Sequence, residues 1–176
     1  MKKYALLLLA LAVIGAGALA GGSGWQTDFE KALKKAAKSE RPMLVEFTDG
    51  EASKEINKGL FYTPKFKAWA KKKVVLVELN YGKRLNKKLA EQYETLKVKY
   101  KVEQFPTLLL VSHEGKLLGK LPAFRKGAQK AWLTEAGDVL EAASGAGKWL
   151  TDYAAAKKIS KRTRKPMLLD FNGSDW

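Results

Sequence analysis

The segment EQFPTLLLV, residues 103–111, decides the fold of this chain of 176 residues. Pro106 stands directly before a short continuous apolar run, Thr107 to Val111. Proline lacks the backbone N–H that a ladder inside a sheet needs, so it is tolerated where a strand begins. The segment therefore predicts a buried strand that begins at Thr107, directly after a turn that carries Phe105 and Pro106.

Strands and helices alternate on both sides of this segment. Apolar runs predict further strands at 43–47, 74–79 and, after a turn, 117–121. Apolar residues at helical spacing predict helices at about 27–41, 53–72, 85–100 and 132–143. Thr27 and Glu30 predict a capping box at the start of the first helix. This order predicts an α/β fold whose sheet is mostly parallel, with right-handed crossovers and an antiparallel edge.

In this order of elements, Phe105-Pro106-Thr107 resembles the cis-proline motif of the thioredoxin superfamily, and the resemblance covers roughly residues 25–143. It implies a thioredoxin-like fold, in which a central mixed sheet of about four strands is flanked by helices, with an extra N-terminal helix. It also implies that Phe105, Pro106 and Thr107 bind an extended peptide by main-chain pairing. The alternative is an ordinary turn proline in another α/β domain.

The resemblance also identifies the place of the redox site. Glu46 matches the buried acid that assists proton movement in thioredoxin-like enzymes, and the loop that follows is where those enzymes carry Cys-x-x-Cys. Here the loop is shorter, its residues at the degenerate site are Gly50, Ser53 and Ile56, and the chain contains no cysteine. A serine hydroxyl cannot form a disulfide, so residues 25–143 are expected to be redox-inactive. Neither a metal nor a cofactor is predicted.

Residues 149–171 repeat residues 25–47 at a constant offset of 124 positions. Seven identities support the repeat, at Trp25/Trp149, Thr27/Thr151, Asp28/Asp152, Pro42/Pro166, Met43/Met167, Leu44/Leu168 and Phe47/Phe171. Glu46 aligns with Asp170, the commoner acid at that place in the family. The repeat predicts a linker at 144–148 and the start of a second, truncated thioredoxin-like copy at 149–176.

In the subfamily that this copy resembles, the sequence FNGSDW (residues 171–176) is followed directly by Cys-x-x-Cys. Two explanations stay open. The copy is a degenerate tail docked on the first domain, or a UGA codon for position 177 encodes selenocysteine, which some thioredoxin-fold proteins use in place of the first cysteine.

The N-terminus predicts export, and the charge predicts a solvated surface. Lys2 and Lys3 precede an apolar run, Tyr4 to Ala20, that ends in small residues, so residues 1–20 are expected to be a signal peptide. The alternative is an uncleaved anchor, although the run is near the short end of a membrane span. The net charge of +15 comes from lysines spread at solvent-facing positions, which indicates a solvated surface rather than a nucleic-acid site.

Three functions are compatible with these observations. The first is the N-terminal part of an exported thiol-disulfide oxidoreductase, periplasmic or extracellular, whose partner is an extended peptide or a protein thiol or disulfide. The second is a non-catalytic thioredoxin-like peptide-binding module of the cell envelope. The third is a basic protein that binds an anionic surface. After signal cleavage no stable membrane span is expected.

Overall fold

The computed structural model of the chain describes residues 24–144, 150–163 and 166–171. The predicted signal peptide, most of the predicted linker and residues 172–176 lie outside the described residues. Helices and strands follow in the order α1 (Phe29–Ser39), β1 (Met43–Thr48), α2 (Lys54–Ile56), a π-helical turn (Asn57–Phe61), α3 (Pro64–Lys73), β2 (Val75–Asn80), α4 (Lys87–Lys99), β3 (Thr107–Val111), β4 (Leu117–Lys120), α5 (Gln129–Ser144) and α6 (Tyr153–Thr163). Among the helices of these ranges, none is both long and apolar enough to cross a bilayer.

The four strands form one mixed sheet in the order β2-β1-β3-β4. β1 and β2 are parallel, whereas β1 with β3 and β3 with β4 are antiparallel. The expectation of a mostly parallel sheet is therefore wrong. After α4 the residues 100–106 run back to the end of the sheet where β1 stops, so β3 starts there, with Thr107 opposite Phe47. The alternation of elements along the sequence does not show this reversal.

The first helix is capped by Asp28, not by Thr27 as the capping-box pattern predicts. The Asp28 carboxylate accepts a hydrogen bond from the backbone N–H of Lys31 at 3.1 Å. Either residue type can cap a helix, and the register chosen is the one that turns Phe29, Ala32 and Ala36 into the core. Glu40, in the left-handed conformation at φ 51°, ends the helix.

The sheet has a core on each face. On one face, α1 and α4 cover residues such as Val45 and Phe47, with Tyr93 and Leu96 from α4. On the other face, α3 and α5 cover a second group that includes Leu44, Leu110, Phe66 and Trp132. Because both faces are covered, all six residues of β1 are buried.

The predicted second helix is divided into three pieces. α2 continues into the π-helical turn, in which the N–H of Tyr62 donates to the carbonyl of Asn57 at 2.9 Å. Thr63 then caps α3 by accepting from Phe66 N at 3.3 Å. Phe124 packs over Gly59 so closely that a Cβ atom there would lie 2.6 Å from the ring. The π-helical turn thus accommodates a side chain that arrives from the loop after β4.

Gln26 extends the sheet beyond β2 by a single parallel bridge to Val77. Its N–H donates to the carbonyl of Leu76 at 2.9 Å, and its carbonyl accepts from the N–H of Glu78 at 2.8 Å. The chain therefore enters the domain alongside β2 and in the same direction.

α6 lies where the repeat predicts a helix. The bounds of α1 shifted by 124 positions are Tyr153 and Thr163, which are the observed bounds of α6. The side chain of Asp152 accepts from Ala155 N at 3.1 Å, as Asp28 does from Lys31 in α1. Residues 166–171, which copy the sequence of β1, form no strand, and Phe171 is 90% exposed.

Candidate functional site

The candidate site lies at the end of the sheet where β1 and β2 stop and β3 begins, here called the proline end. The peptide bond between Phe105 and Pro106 is cis. Pairing of β1 with β3 places Glu46 opposite Leu108, and pairing with β2 places Thr48 opposite Asn80. The proline segment, the loop after β1 and the loop after β2 therefore meet at one end of the sheet.

Phe105 is held by side chains while its main chain is left unpaired. Its ring lies 4.9 Å from that of Tyr81, and the Lys97 ammonium lies 5.5 Å from the Phe105 ring centre. The Thr107 hydroxyl donates to the carbonyl of Gln104 at 2.7 Å, which fixes the turn before the proline. In the ranges that the structure describes, neither the N–H nor the carbonyl of Phe105 has a hydrogen-bond partner. Phe105 thus presents one free donor and one free acceptor.

The loop after β1 contains a buried chain of hydroxyl groups that ends on Glu46. The backbone N–H of Gly50 donates to Thr48 Oγ1 at 2.8 Å. Thr48 Oγ1 lies 2.6 Å from Ser53 Oγ, which lies 2.6 Å from Glu46 Oε1. When Glu46 is ionised, the Thr48 hydroxyl donates to Ser53 Oγ and the Ser53 hydroxyl donates to the carboxylate, so each hydroxyl proton makes one hydrogen bond. A protonated Glu46 donates to Ser53 instead, which reverses the direction of the chain.

Burial dominates the protonation of Glu46. Its side chain is 2% exposed, and desolvation raises its pKa to about 7. The hydrogen bond from Ser53 acts in the opposite direction by stabilising the carboxylate. The charge of Glu78 raises the pKa further, and that of Lys83 lowers it. At neutral pH both protonation states of Glu46 are therefore populated.

The loop after β2 packs directly against the loop after β1. A Cβ atom at Gly82 would lie 2.0 Å from the backbone oxygen of Asp49, so this position excludes every other residue type in the observed backbone. The N–H of Gly82 donates to Asn80 Oδ1 at 3.0 Å. Asn80 also donates to Glu78 at 3.2 Å, and Lys83 pairs with Glu78 at 3.0 Å. These contacts fix the loop that carries Gly50 and Ser53.

The structure brings most of the predicted site residues together. Glu46, Gly50 and Ser53 lie at the proline end with the proline segment. Two others lie elsewhere: Ile56 is buried in the core on the α3 side, and Asp170 is in the exposed segment 166–171.

Sequence reasoning missed the residues that complete the site, Thr48, Tyr81, Asn80 and Gly82. Their signal is their position at the carboxyl ends of two parallel strands, where functional loops collect. Across the described ranges, His, Cys, Asp and Glu side chains form no group of three or more that could hold a metal ion. Ser53 is 1% exposed, and its hydroxyl is hydrogen-bonded to both Glu46 and Thr48. Among the described residues, the site therefore offers no accessible nucleophile.

Comparisons with known proteins agree with this arrangement. A family model described as thioredoxin-like matches residues 24–112. A "Thioredoxin-related protein DsbJ" of Chlamydia pneumoniae is 30% identical over 105 residues, which are 57% of this chain and 30% of that protein. The chain thus spans less than a third of the length of this curated relative.

Two solved structures are similar in fold. One is a "DsbH Oxidoreductase", with a TM-score of 0.61 at 20% identity, covering 80% of this chain and 95% of that chain. The other is a thioredoxin from Thermus thermophilus, with a TM-score of 0.52 at 17% identity, covering 71% and 95%. Together with the mixed sheet and the additional helix α1, these similarities confirm the thioredoxin-like fold that the sequence implies.

Proposed function

Because the chain belongs to the thioredoxin-like family, we propose that residues 25–143 are a redox-silent peptide-binding module of an exported protein that acts in thiol-disulfide exchange. The relative named thioredoxin-related protein supports the class of reaction. The partner is an extended segment of a protein that carries a thiol or a disulfide.

The unpaired main chain of Phe105 carries this proposal. An extended peptide that lies beside residues 105–107 meets a free N–H and a free carbonyl, and main-chain pairing of this kind supplies affinity without demanding a sequence. The aromatic pair of Phe105 and Tyr81 forms an apolar wall beside these groups. Because the segment is held by Thr107 and by the cis-proline turn, little ordering is required on binding.

The redox step itself is assigned elsewhere. Thiol-disulfide exchange requires a thiolate, or a selenolate, that attacks one sulfur of a disulfide and releases the other as a thiolate. No such group exists in this chain. We propose that it belongs to the second copy that starts at Trp149, with cysteine or selenocysteine encoded at position 177. The helix α6, which shares the bounds and the cap of α1, supports this copy.

The nucleotide sequence tests the second copy. A UGA or a cysteine codon at position 177, followed in frame by a thioredoxin-like continuation, agrees with the proposal. Any other codon at position 177 contradicts the proposed second copy. That result would leave the peptide-binding proposal for residues 25–143 unaffected.

Peptide binding is tested by amide NMR on the 15N-labelled full chain. The probe is an alkylated insulin B-chain peptide of about ten residues, and the control is the same peptide N-methylated at every residue, which has no main-chain N–H to donate and whose methyl groups obstruct its carbonyls. We expect the amide signals of Phe105 and Thr107 to shift, with affinity at least about tenfold weaker for the methylated peptide, since two hydrogen bonds are lost. Equal binding of the two peptides, or shifts confined to other elements, would refute the proposed binding mode.

A further inference from the structure

The end of the sheet opposite the proline end carries more cations than acids. β1 and β2 begin there, β3 ends there, and α1, α3 and α4 all finish there. We call it the lysine-rich end, and its cations are Lys38, Arg41, Lys71, Lys72, Lys73, Lys99, Lys101 and Lys116. Two contacts show that these elements converge: Arg41 Nη1 donates to the carbonyl of Lys71 at 2.8 Å, and Tyr100 Oη donates to that of Gly115 at 3.0 Å.

Few carboxylates accompany these cations. The acids at this end are Glu40, Glu114 and Glu141, and Glu114 pairs with Lys116 at 2.7 Å. The other seven cations make no ion pair within the described part of the chain. Four further ion pairs lie away from this end, at Lys31–Asp28, Lys54–Glu51, Lys83–Glu78 and Lys87–Glu91.

Helix dipoles explain why lysines are tolerated in these last turns, but not why seven cations share one end. A lysine near the C-terminus of a helix is favourable, because it lies at the negative end of the helix dipole. Clustering like charges on one surface acts against this gain through mutual repulsion. A surface that concentrates unpaired cations is suited to an anionic partner.

The entry of the chain indicates which partner. Gln26 pairs in parallel with the middle of β2, so Gly24 and Trp25 lie on the side of this bridge toward the lysine-rich end. In the sequence those residues follow the apolar run from Tyr4 to Ala20. In addition, Val98 is 77% exposed in the last turn of α4, next to Lys99. An exposed apolar side chain beside lysine is a combination that favours a lipid headgroup surface.

We propose that the lysine-rich end binds the anionic phospholipid surface of a membrane. Single-stranded nucleic acid is less suited, because its bases stack on exposed aromatic rings, whereas the ring that lies against Lys99, that of Tyr100, is 7% exposed. On the membrane, the proline end faces away from the lipid by the length of β1, about 20 Å for six residues. The peptide groove then stays open to proteins of the surrounding compartment.

Vesicle binding of the full chain tests the proposal. The variant K71Q/K72Q/K73Q removes three lysines from the end of α3, and the matched control K58Q/K65Q/K67Q removes three from the π-helical turn and the beginning of α3. Binding is measured by co-sedimentation with phosphatidylcholine vesicles with and without about 30% phosphatidylglycerol, at low and high salt. Both variants keep the N-terminal run, so the difference between them reports the lysine-rich end.

We expect the wild type to prefer the anionic vesicles and to lose this preference at high salt. The first variant should bind about a hundredfold more weakly, roughly fivefold for each lysine, and the control less than about threefold more weakly. The double variant K38Q/K101Q, on other elements, should bind more than about tenfold more weakly. Circular dichroism confirms that each variant is folded.

Three results overturn the proposal. The first is a wild type that does not distinguish anionic from neutral vesicles. The second is an equal loss in the first variant and the control, which would show an effect of net charge alone. The third is duplex DNA that displaces the chain from anionic vesicles at equal phosphate concentration, which would assign the surface to nucleic acid.

Discussion

Replacing Glu46 by glutamine should remove a large pH dependence of stability. The carboxyl group has an ordinary pKa of 4.5 and a pKa of about 7 in the folded protein, so the folded state holds the proton more tightly than the unfolded chain does. This contribution is fully present below pH 4.5 and is lost as the pH rises through 7. One pKa unit corresponds to about 1.4 kcal/mol, so the total loss is about 3 kcal/mol. Glutamine does not titrate, so the variant lacks this loss.

Urea unfolding at a series of pH values from about 4 to 8.5 measures the effect. The wild type should lose about 3 kcal/mol relative to Glu46→Gln across this range, whatever constant offset the substitution adds. Glu55→Gln, at an exposed position on α2, is the matched control for loss of one carboxylate. Parallel profiles for the wild type and Glu46→Gln would refute the reasoning. So would a carboxyl carbon NMR titration of Glu46 with its midpoint near 4.5.

Four further substitutions test the contacts around the site, in α5 and at the first helix. Ser53→Ala removes the donor to Glu46 and should lower the free energy of unfolding by about 1–3 kcal/mol. The loss should be greater above pH 7, because the carboxylate is then left without its hydrogen bond. An equal loss at pH 5 would contradict the hydroxyl chain. Gly82→Ala should destabilise by more than about 2 kcal/mol in urea unfolding, because its Cβ would lie 2.0 Å from a backbone oxygen. Gly137→Ala, in α5 with nothing within 4 Å of the added atom, should stabilise by about 0.5–1 kcal/mol, and the same sign for both glycines would contradict the packing. Asp28→Ala should lower the thermal midpoint by the equivalent of about 1 kcal/mol, since it removes the cap of α1, and an unchanged midpoint would contradict that role.

Local signals in the sequence predicted the elements well. β3 begins and ends at the predicted residues, Thr107 and Val111, because the proline and the following turn mark both boundaries. The predicted buried acid, Glu46, is buried because an unbroken apolar run on both sides places its strand in the centre of the sheet. These predictions need only residues that are close together in the sequence.

Features that depend on distant residues could not be predicted in the same way. The antiparallel pairing of β1 with β3 depends on the path of residues 100–106, and the composition of this segment does not indicate the direction in which the chain runs. The packing of Phe124 over Gly59 in the π-helical turn joins residues that are far apart along the chain. The hydrogen bonds of Ser53 depend on a loop conformation that Gly82 holds in place. The sequence therefore identified some of the site residues, whereas the contacts between them became visible only in the fold.

The bridge that Gln26 makes to β2 also bears on solubility. An exposed sheet edge offers its backbone groups to any other extended chain, and strands added in this way can grow into fibrils. Here Gln26 already pairs with the middle of the outer strand β2, and at the opposite margin β4 is only four residues long and ends in Lys120. A chain that adds to the β2 edge must first displace Gln26. We therefore expect Gln26 to hinder polymerisation of the folded protein from this edge.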